Sequence, residues 1–460
     1  VRLSSGAGTV PLRRAGLSRR PVARRGGIGQ GLKGGIDVTG AAQRAGFWGV
    51  LALRDFRLLW TGDAVSGIGN GVTTVVLPLI ALRELDASSF RIGVLASAVW
   101  LPWLIVGLPA GAWIDRLPRR PIMMIANAAC ALFFASIAIA GFLEAMTYGH
   151  LLLVALLTGT ATVFFQAAYH SYLPTVLAEA DLVEGNSKIQ GAEAATRVIG
   201  PSVGGLVVAT VGLAAGLVVD AFTFAFCFVC IWLIRVQETV HRGQNQREPL
   251  RRQIALGLRF VAGDPYLRSI VVYGTLLNFG LTGYSTIQIV FLEKTVGVGE
   301  FGLGLLLAIA GVGGIVGSMI ARPLGRRFGT ARSVLICQLV TGPFILLAPL
   351  TTYGAGLFWF CIGGMVMVAG VVSCNVVLGS FRQSYCPPDR LGRVVATSMF
   401  LLHSSIPLGA LTAGYLGDAV GPRGTMWIMA CLIAPCGLVL LFSPLRGIRD
   451  LPSRPAISLR

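Results

Sequence analysis

A few ionisable side chains stand inside long apolar stretches of this 460-residue chain, where charge is costly and so points to function. Asp63 is a carboxylate that could pick up and release a proton, and Asn70, two helical turns on, would share nearly the same face. Glu193 and Arg197 stand four residues apart, so a helix would let them pair and neutralise one another. His403 could titrate in the physiological range, or be a hydrogen-bonded neutral group. Asp220 reads as packing or capping. Cys227 and Cys230 have CxxC spacing, but the run AFCFVCIWLI holds no basic residue or His to activate a thiol, so buried free thiols are expected. No HExxH, P-loop or GxSxG is present, and neither a metal site nor a cofactor is implied. The residues read as a non-enzyme.

The elements around these groups are set by composition. Hydrophobic residues make up 54% of the chain and charged residues 13%, with 60 glycines and a mean hydropathy of +0.74. That balance excludes a water-soluble domain of this length and makes the lipid bilayer the partner. A hydrocarbon core about 30 Å thick takes about 20 apolar residues per helix. Such runs fall near 60–82, 92–112, 122–143, 150–172, 194–213, 215–235, 267–290, 302–321, 333–351, 355–379, 396–417 and 425–443. The expected class is an all-α membrane protein whose twelve transmembrane helices form two pseudo-symmetric six-helix bundles.

The formal net charge of +18 would suggest nucleic acid for a soluble protein, but its distribution points to membrane topology. With both termini cytoplasmic, Arg83, Arg91, Lys294 and Arg423 fall outside, Arg197 falls within a helix, and the remaining Lys and Arg lie inside. No nucleic-acid partner is expected. Residues 1–52 read as a basic, disordered cytoplasmic tail without a signal sequence, and 446–460 as a second tail. Bundles over 53–235 and 266–445 flank a linker, 236–265, in which IALGLRFV reads as a short amphipathic helix on the membrane surface.

The two halves echo one another, as parallel repeats in a transporter do. Asp55 precedes helix 1 as Asp264 precedes helix 7, and Arg119 and Arg120 after helix 2 match Arg326 and Arg327 after helix 8. Pro174 and Pro387 follow helices 4 and 10, and Pro201 and Pro407 lie in helices 5 and 11. The loop GAWIDRLPRRP supplies Gly111, Asp115, Arg116, Arg119 and Arg120, and helix 5 carries Gly200-Pro201-Ser202-Val203-Gly204-Gly205. On these motifs, and on the connectors 173–193 and 382–394, the chain resembles the major facilitator superfamily over roughly 53–445, within it the drug-efflux branch of macrolide and enterobactin exporters.

The resemblance implies the rest. Asp115 would be a latch between the halves on the cytoplasmic side, seated on a helix N-terminus or paired with Arg; alternatively the loop's charges only set topology. Gly200, Pro201, Gly204 and Gly205 look like the core of an antiporter signature, or are ordinary small-residue packing. Many relatives carry Asp where Asn70 stands and Gln where Asp63 stands, so this chain's carboxylate has moved toward the cytoplasm. Asp63, Glu193, Arg197 and His403 are the coupling candidates, with protons as the coupling ion. Helices 1, 4, 7 and 10 would line a cavity offering Asn70, Gln166, Tyr169, Asn278, Tyr284, Gln288 and Asn375, with Trp100 and Trp103 nearby. An aromatic, amide-rich lining suits a small amphipathic substrate. The expected function is secondary export of drugs or amphipathic metabolites by alternating access at the plasma membrane. A siderophore or lysophospholipid transporter is the alternative, and a transport-inactive sensor or scaffold the alternative of another class.

Overall fold

The computed structural model describes residues 49–114, 117–178, 181–236, 238, 258–385 and 388–452, and the backbone alone at 108, 110–112, 183, 382–384 and 388–396. The expected tail up to 48, Asp115, Arg116, Pro387, most of the linker and residues from 453 onward lie outside the described residues.

Among those residues the regular structure is helical throughout. Ten stretches are long and apolar enough to cross a membrane, by length and composition. Two further observations bring the number to twelve. Ser89–Ile105 is a shorter apolar helix that resumes as Gly107–Ile114, and Pro388–Ile433 is bent at Gly421 (φ 79°) into two arms. The spans are α1 (Arg54–Arg83), α2 (Ser89–Ile105 with Gly107–Ile114), α3 (Arg119–Phe142), α4 (Tyr148–Val176), α5 (Leu182–Val211) and α6 (Leu213–Trp232) in the first half. The second half holds α7 (Pro265–Val290), α8 (Glu300–Phe328), α9 (Thr330–Thr341, tightening to 3-10 geometry over Gly342–Leu350) and α10 (Leu357–Tyr385). It ends with α11 (388–420) and α12 (422–433, resuming as Cys436–Leu441). Successive spans run in opposite directions. The end carrying the start of α1 and the end of α6 is called proximal, the opposite end distal.

Three boundaries depart from the hydropathy reading. α5 begins at Leu182, a dozen residues before the apolar run, because LVEGNSKIQGAE is helical although polar. Hydropathy reports only the lipid-facing length, and this helix projects beyond it. α8 continues to Phe328 and stops where Gly329 takes φ 90°, a conformation that disfavours any side chain. Arg326 and Arg327 therefore lie in the last turn of a helix rather than in a loop. Arg119 and Arg120 lie in the first turn of α3, where Pro118 fixes the entry, so the two basic pairs fall on opposite sides of their turns. Of the IALGLRFV segment, 258–261 is helical, with Leu258 and Arg259 exposed and Phe260 and Val261 buried, and 254–257 lie outside the described residues.

The internal echo reappears as capping at the proximal end. Glu238, beyond α6, accepts the Arg119 and Arg120 backbone N–H groups at the start of α3 (2.7 and 2.8 Å). Asp450, beyond α12, accepts the Thr330 N–H at the start of α9 (2.9 Å). Each carboxylate satisfies helix-start donors that have no intrahelical partner. Asp55 accepts from Arg235 and Val236 N–H, while Asp264 caps α7 through Tyr266 and Leu267 N–H (3.0 Å each) and accepts the Tyr385 hydroxyl (2.6 Å). Asp264 is buried, so removing that hydroxyl leaves a charged oxygen short of a donor. Tyr385→Phe is expected to cost about 1–3 kcal/mol, read as a lowered unfolding temperature in detergent.

α1, α5 and α6 pack on one another, α7 packs on both α11 and α12, and the two halves meet mainly along two helix pairs, α2 with α11 and α5 with α8. Those pairs form the seam on which the candidate site is built.

Candidate functional site

The seam is fastened at its distal end. Arg83, at the end of α1, forms ion pairs with Glu293, just beyond α7, and Glu300, at the start of α8, joining the two halves. Asp418, on the last turn of α11, accepts the Ser89 and Phe90 backbone N–H groups at the start of α2 (2.8 and 3.1 Å). One half thus supplies a capping carboxylate for a helix of the other. Below it, the Ser97 hydroxyl donates to the Pro407 carbonyl (2.9 Å), and a Cβ placed on Gly93 would stand 2.6 Å from the Ala410 carbonyl oxygen. Composition gave no sign of this seal, since a lone Arg and three acids in short loops look like solvated charges. Asp418→Asn, which keeps one acceptor but loses the charge and the second acceptor, is expected to weaken the seal by about 1 kcal/mol, and Arg83→Ala by up to a similar amount. Spin labels across the distal end should then report a larger separated population.

Further toward the proximal end the same helix faces are uncovered. The α8 face that meets α5 at Gly304 and Gly311 goes on to Ile315 and Arg322, both exposed. The seam face of α2 goes on to Leu104, and that of α11 to Met399, both exposed. The halves converge distally and splay proximally.

The helix 5 motif is part of this seam. Gly200 and Gly204 press against α1, where a Cβ on Gly200 would lie 2.7 Å from the Gly71 Cα. Gly205 faces the other half, with its Cβ position 2.6 Å from the Gly304 Cα, and the Gly304 Cβ position is 3.0 Å from the Pro201 carbonyl oxygen. One short stretch therefore packs α5 against a helix of its own half and a helix of the other.

Asp63 lies proximal to this packing, on α1. Tyr169 of α4 turns its buried hydroxyl toward it, and no hydrogen bond of normal geometry satisfies that hydroxyl. Glu193 of α5 is within electrostatic reach of both Asp63 and His170, and the His170 ring meets Tyr169 edge-on at 5.8 Å. Asp63, Tyr169, His170 and Glu193 thus gather from three helices of one half. His170 was not anticipated, because one imidazole beside aromatic residues in an apolar run gives no sign of what it faces.

The expected Glu193–Arg197 pair is not formed: among the described residues the ion pairs join other partners. The two side chains diverge because their surroundings differ. Glu193 is drawn to the α1 and α4 side, whereas Arg197 is exposed on the strip of α5 between the face meeting α1 (Thr196, Gly200, Gly204) and the face meeting α8 (Val198, Gly205). That strip looks into the opening between the halves.

Of the remaining cavity candidates, Asn70 on α1 and Asn375 on α10 are exposed, and Gln166, Asn278 and Gln288 are half-buried. Asn278 donates to the Leu402 carbonyl (3.3 Å), tying α7 to α11. Tyr169 and Tyr284 are buried, the Tyr284 hydroxyl without a partner among the described residues. Trp100 and Trp103 are half-buried and stack on His403 across the seam. Gly111 has only its backbone described, as do Arg382, Gly392 and Arg393. Arg120 donates to the Ile231 and Trp232 carbonyls, while the buried Nε of Arg119 has no partner among the described residues. Asp220, fully buried, accepts the Thr73 hydroxyl and so ties α6 to α1, with Gly69 leaving room for its Oδ1. Cys227 and Cys230 are free thiols packed on Gly62.

This architecture has close counterparts. The chain is 28% identical over 406 residues to the multidrug efflux pump Tap of Mycolicibacterium fortuitum, covering 85% of this chain and 96% of that protein. It is 21% identical over 392 residues to macrolide efflux protein A of Streptococcus pyogenes, covering 83% and 95%. Its fold superposes on the crystal structure of the nucleoside transporter NupG with a TM-score of 0.66 at 14% identity, over 84% of this chain and 98% of that one. The model of the transmembrane secretion effector family matches residues 45–458. The chain belongs to that family, a drug-efflux branch of the major facilitator superfamily.

Proposed function

We propose that this protein is a proton-coupled exporter of drugs or amphipathic secondary metabolites that works by alternating access in the plasma membrane. The observation that carries the reading is the asymmetric seam, fastened distally by Arg83 and Asp418 and splayed proximally at Ile315, Arg322, Leu104 and Met399. Basic residues concentrate at the proximal end, which favours a cytoplasmic position for it and for both termini. The state is then open to the cytoplasm, as an exporter must be to load. Relatives named as multidrug and macrolide efflux proteins support the substrate class.

Protons are the coupling ion in this reading, and Asp63 is their carrier. The carboxylate lies in the cytoplasmic half, where an inward-open exporter would release a proton before or as substrate binds. Asn70 and Asn375 are exposed, and in this reading they give an amphipathic ligand polar anchors without fixed charge. In the opposite state the cytoplasmic loop would take over from the distal seal. Asp115 would cap or pair across the closed cytoplasmic end, and the Nε of Arg119, which has no partner among the described residues, is a donor it could use.

The test is efflux of a panel of amphipathic dyes and antibiotics from cells expressing the chain, with and without an uncoupler. Uncoupler-sensitive efflux of several compounds is the expected result. Efflux restricted to a siderophore or lysophospholipid would replace the substrate class, and a chain that moves none of these would be a sensor or scaffold.

A further inference from the structure

His403 sits where the seam changes from closed to open. Its ring lies nearly parallel to two indoles of the other half, Trp103 (centroids 5.2 Å apart, planes at 14°) and Trp100 (5.6 Å, 22°). It is one turn proximal of the Ser97–Pro407 bond, and the next residues on the two seam faces, Leu104 and Met399, are exposed. The stack lies toward the proximal end of the contacts that hold α2 to α11.

The hydrogen bonding fixes where this imidazole can take a proton. Nδ1 stands 2.7 Å from the Met399 carbonyl, which can only accept, so Nδ1 carries the hydrogen. Nε2 is then the basic atom. A proton there turns a neutral ring over two indoles into a cation over two indoles, both within the roughly 6 Å over which a ring face attracts a cation.

We propose that His403 is a proton-operated clasp: protonated at Nε2, it is held by the faces of Trp100 and Trp103 across the seam and favours the distally closed state. Among the described side chains, the elements around it bring no competing charge close by, and Asp389, Arg390 and Arg393, about three turns or more proximal on α11, have only their backbone described. α2 supplies Arg91, about three turns distal and turned to Tyr148, and α7 supplies the phenols of Tyr273 and Tyr284. α11 itself carries Asp418, about four turns distal and engaged with α2, and α4 carries His150 distally, beside Ser136, and His170 proximally, beside Tyr169. The clasp rests on the reading of export in one respect, its direction of use. A proton taken up from outside would draw the halves together distally and return the empty carrier to its inward-open state.

The experiment uses purified full-length protein in lipid nanodiscs without substrate, so it is independent of whether any drug is moved. Tryptophan fluorescence is followed from pH 8 to pH 5, because an imidazolium in contact with an indole quenches it. Spin labels on the distal ends of α1 and α7 report the closed fraction over the same range. The wild type is expected to show a quenching step on acidification together with a rise in the closed-to-open ratio of roughly fivefold. Both should be lost in His403→Gln. Trp100→Leu with Trp103→Leu, which keeps apolar side chains in place without a ring face, should lose the quenching and most of the shift. Quenching that survives in His403→Gln, or a closed fraction with the same pH response in both variants as in the wild type, would overturn the clasp. Absence of drug efflux in cells with the quenching and the shift intact would overturn the export reading alone.

Discussion

Asp63→Asn should abolish uncoupler-sensitive efflux while leaving the protein inserted and folded. The carboxylate is gathered with Tyr169, Glu193 and His170 by three helices of one half, toward the proximal end where the seam splays. A carboxamide keeps the shape and hydrogen-bonding capacity of the site but can neither bind nor release a proton at neutral pH. The loss should be in transport against a gradient. Equilibrative movement of substrate, measured as counterflow, should persist because the seam and the cavity are untouched. Glu193→Gln serves as the comparison: Glu193 modifies the surroundings of Asp63, so its loss should shift the pH dependence of efflux without removing it. Efflux unchanged in Asp63→Asn would take Asp63 out of the coupling path.

Gly205→Val should trap the protein with its distal end apart. A Cβ at Gly205 would be 2.6 Å from the Gly304 Cα, with the Glu300 carbonyl oxygen and the Gly304 nitrogen each 3.0 Å away, so the added atoms meet backbone that has no rotamer to change. Overpacking of this kind costs about 1–3 kcal/mol, a shift of roughly 5- to 150-fold between two states. The cost falls on the closed seam and is absent when α5 and α8 part. Distance measurements across the distal end should show a dominant long distance, and efflux should fall to background. Gly212→Val is the control, because nothing lies near a Cβ there, though its φ of 99° adds local strain. A closed distal end in Gly205→Val would mean that the Gly205–Gly304 contact does not hold the seam.

Much of the fold was legible because lipid imposes it. Apolar runs of the right length mark the spans, and the echo of Asp55 with Asp264 marks the two halves. Legibility failed where a helix leaves the hydrocarbon. The polar start of α5 and the last turn of α8 are helical for reasons of backbone continuity and packing, which hydropathy does not report. The site was less legible. Gly200, Pro201, Gly204 and Gly205 could be singled out because small residues beside a proline have few other uses, and they do pack two helix pairs. The distal seal was invisible. Arg83 and the start of α2 are 210 or more residues from their partners Glu293, Glu300 and Asp418, and the pairing depends on how two bundles tilt. The Glu193–Arg197 spacing misled because an i, i+4 pair forms only when nothing else competes, and Glu193 is drawn toward a different helix face.

Proton-coupled export is tested most directly in everted membrane vesicles that contain the protein and a pH-sensitive fluorophore. An imposed gradient, acid inside, is allowed to stabilise, and an amphipathic drug is then added. Drug accumulation accompanied by a discharge of the gradient, both lost in Asp63→Asn, is the predicted result. Drug accumulation that leaves the gradient untouched, or that persists when the gradient is collapsed, would contradict proton-coupled export.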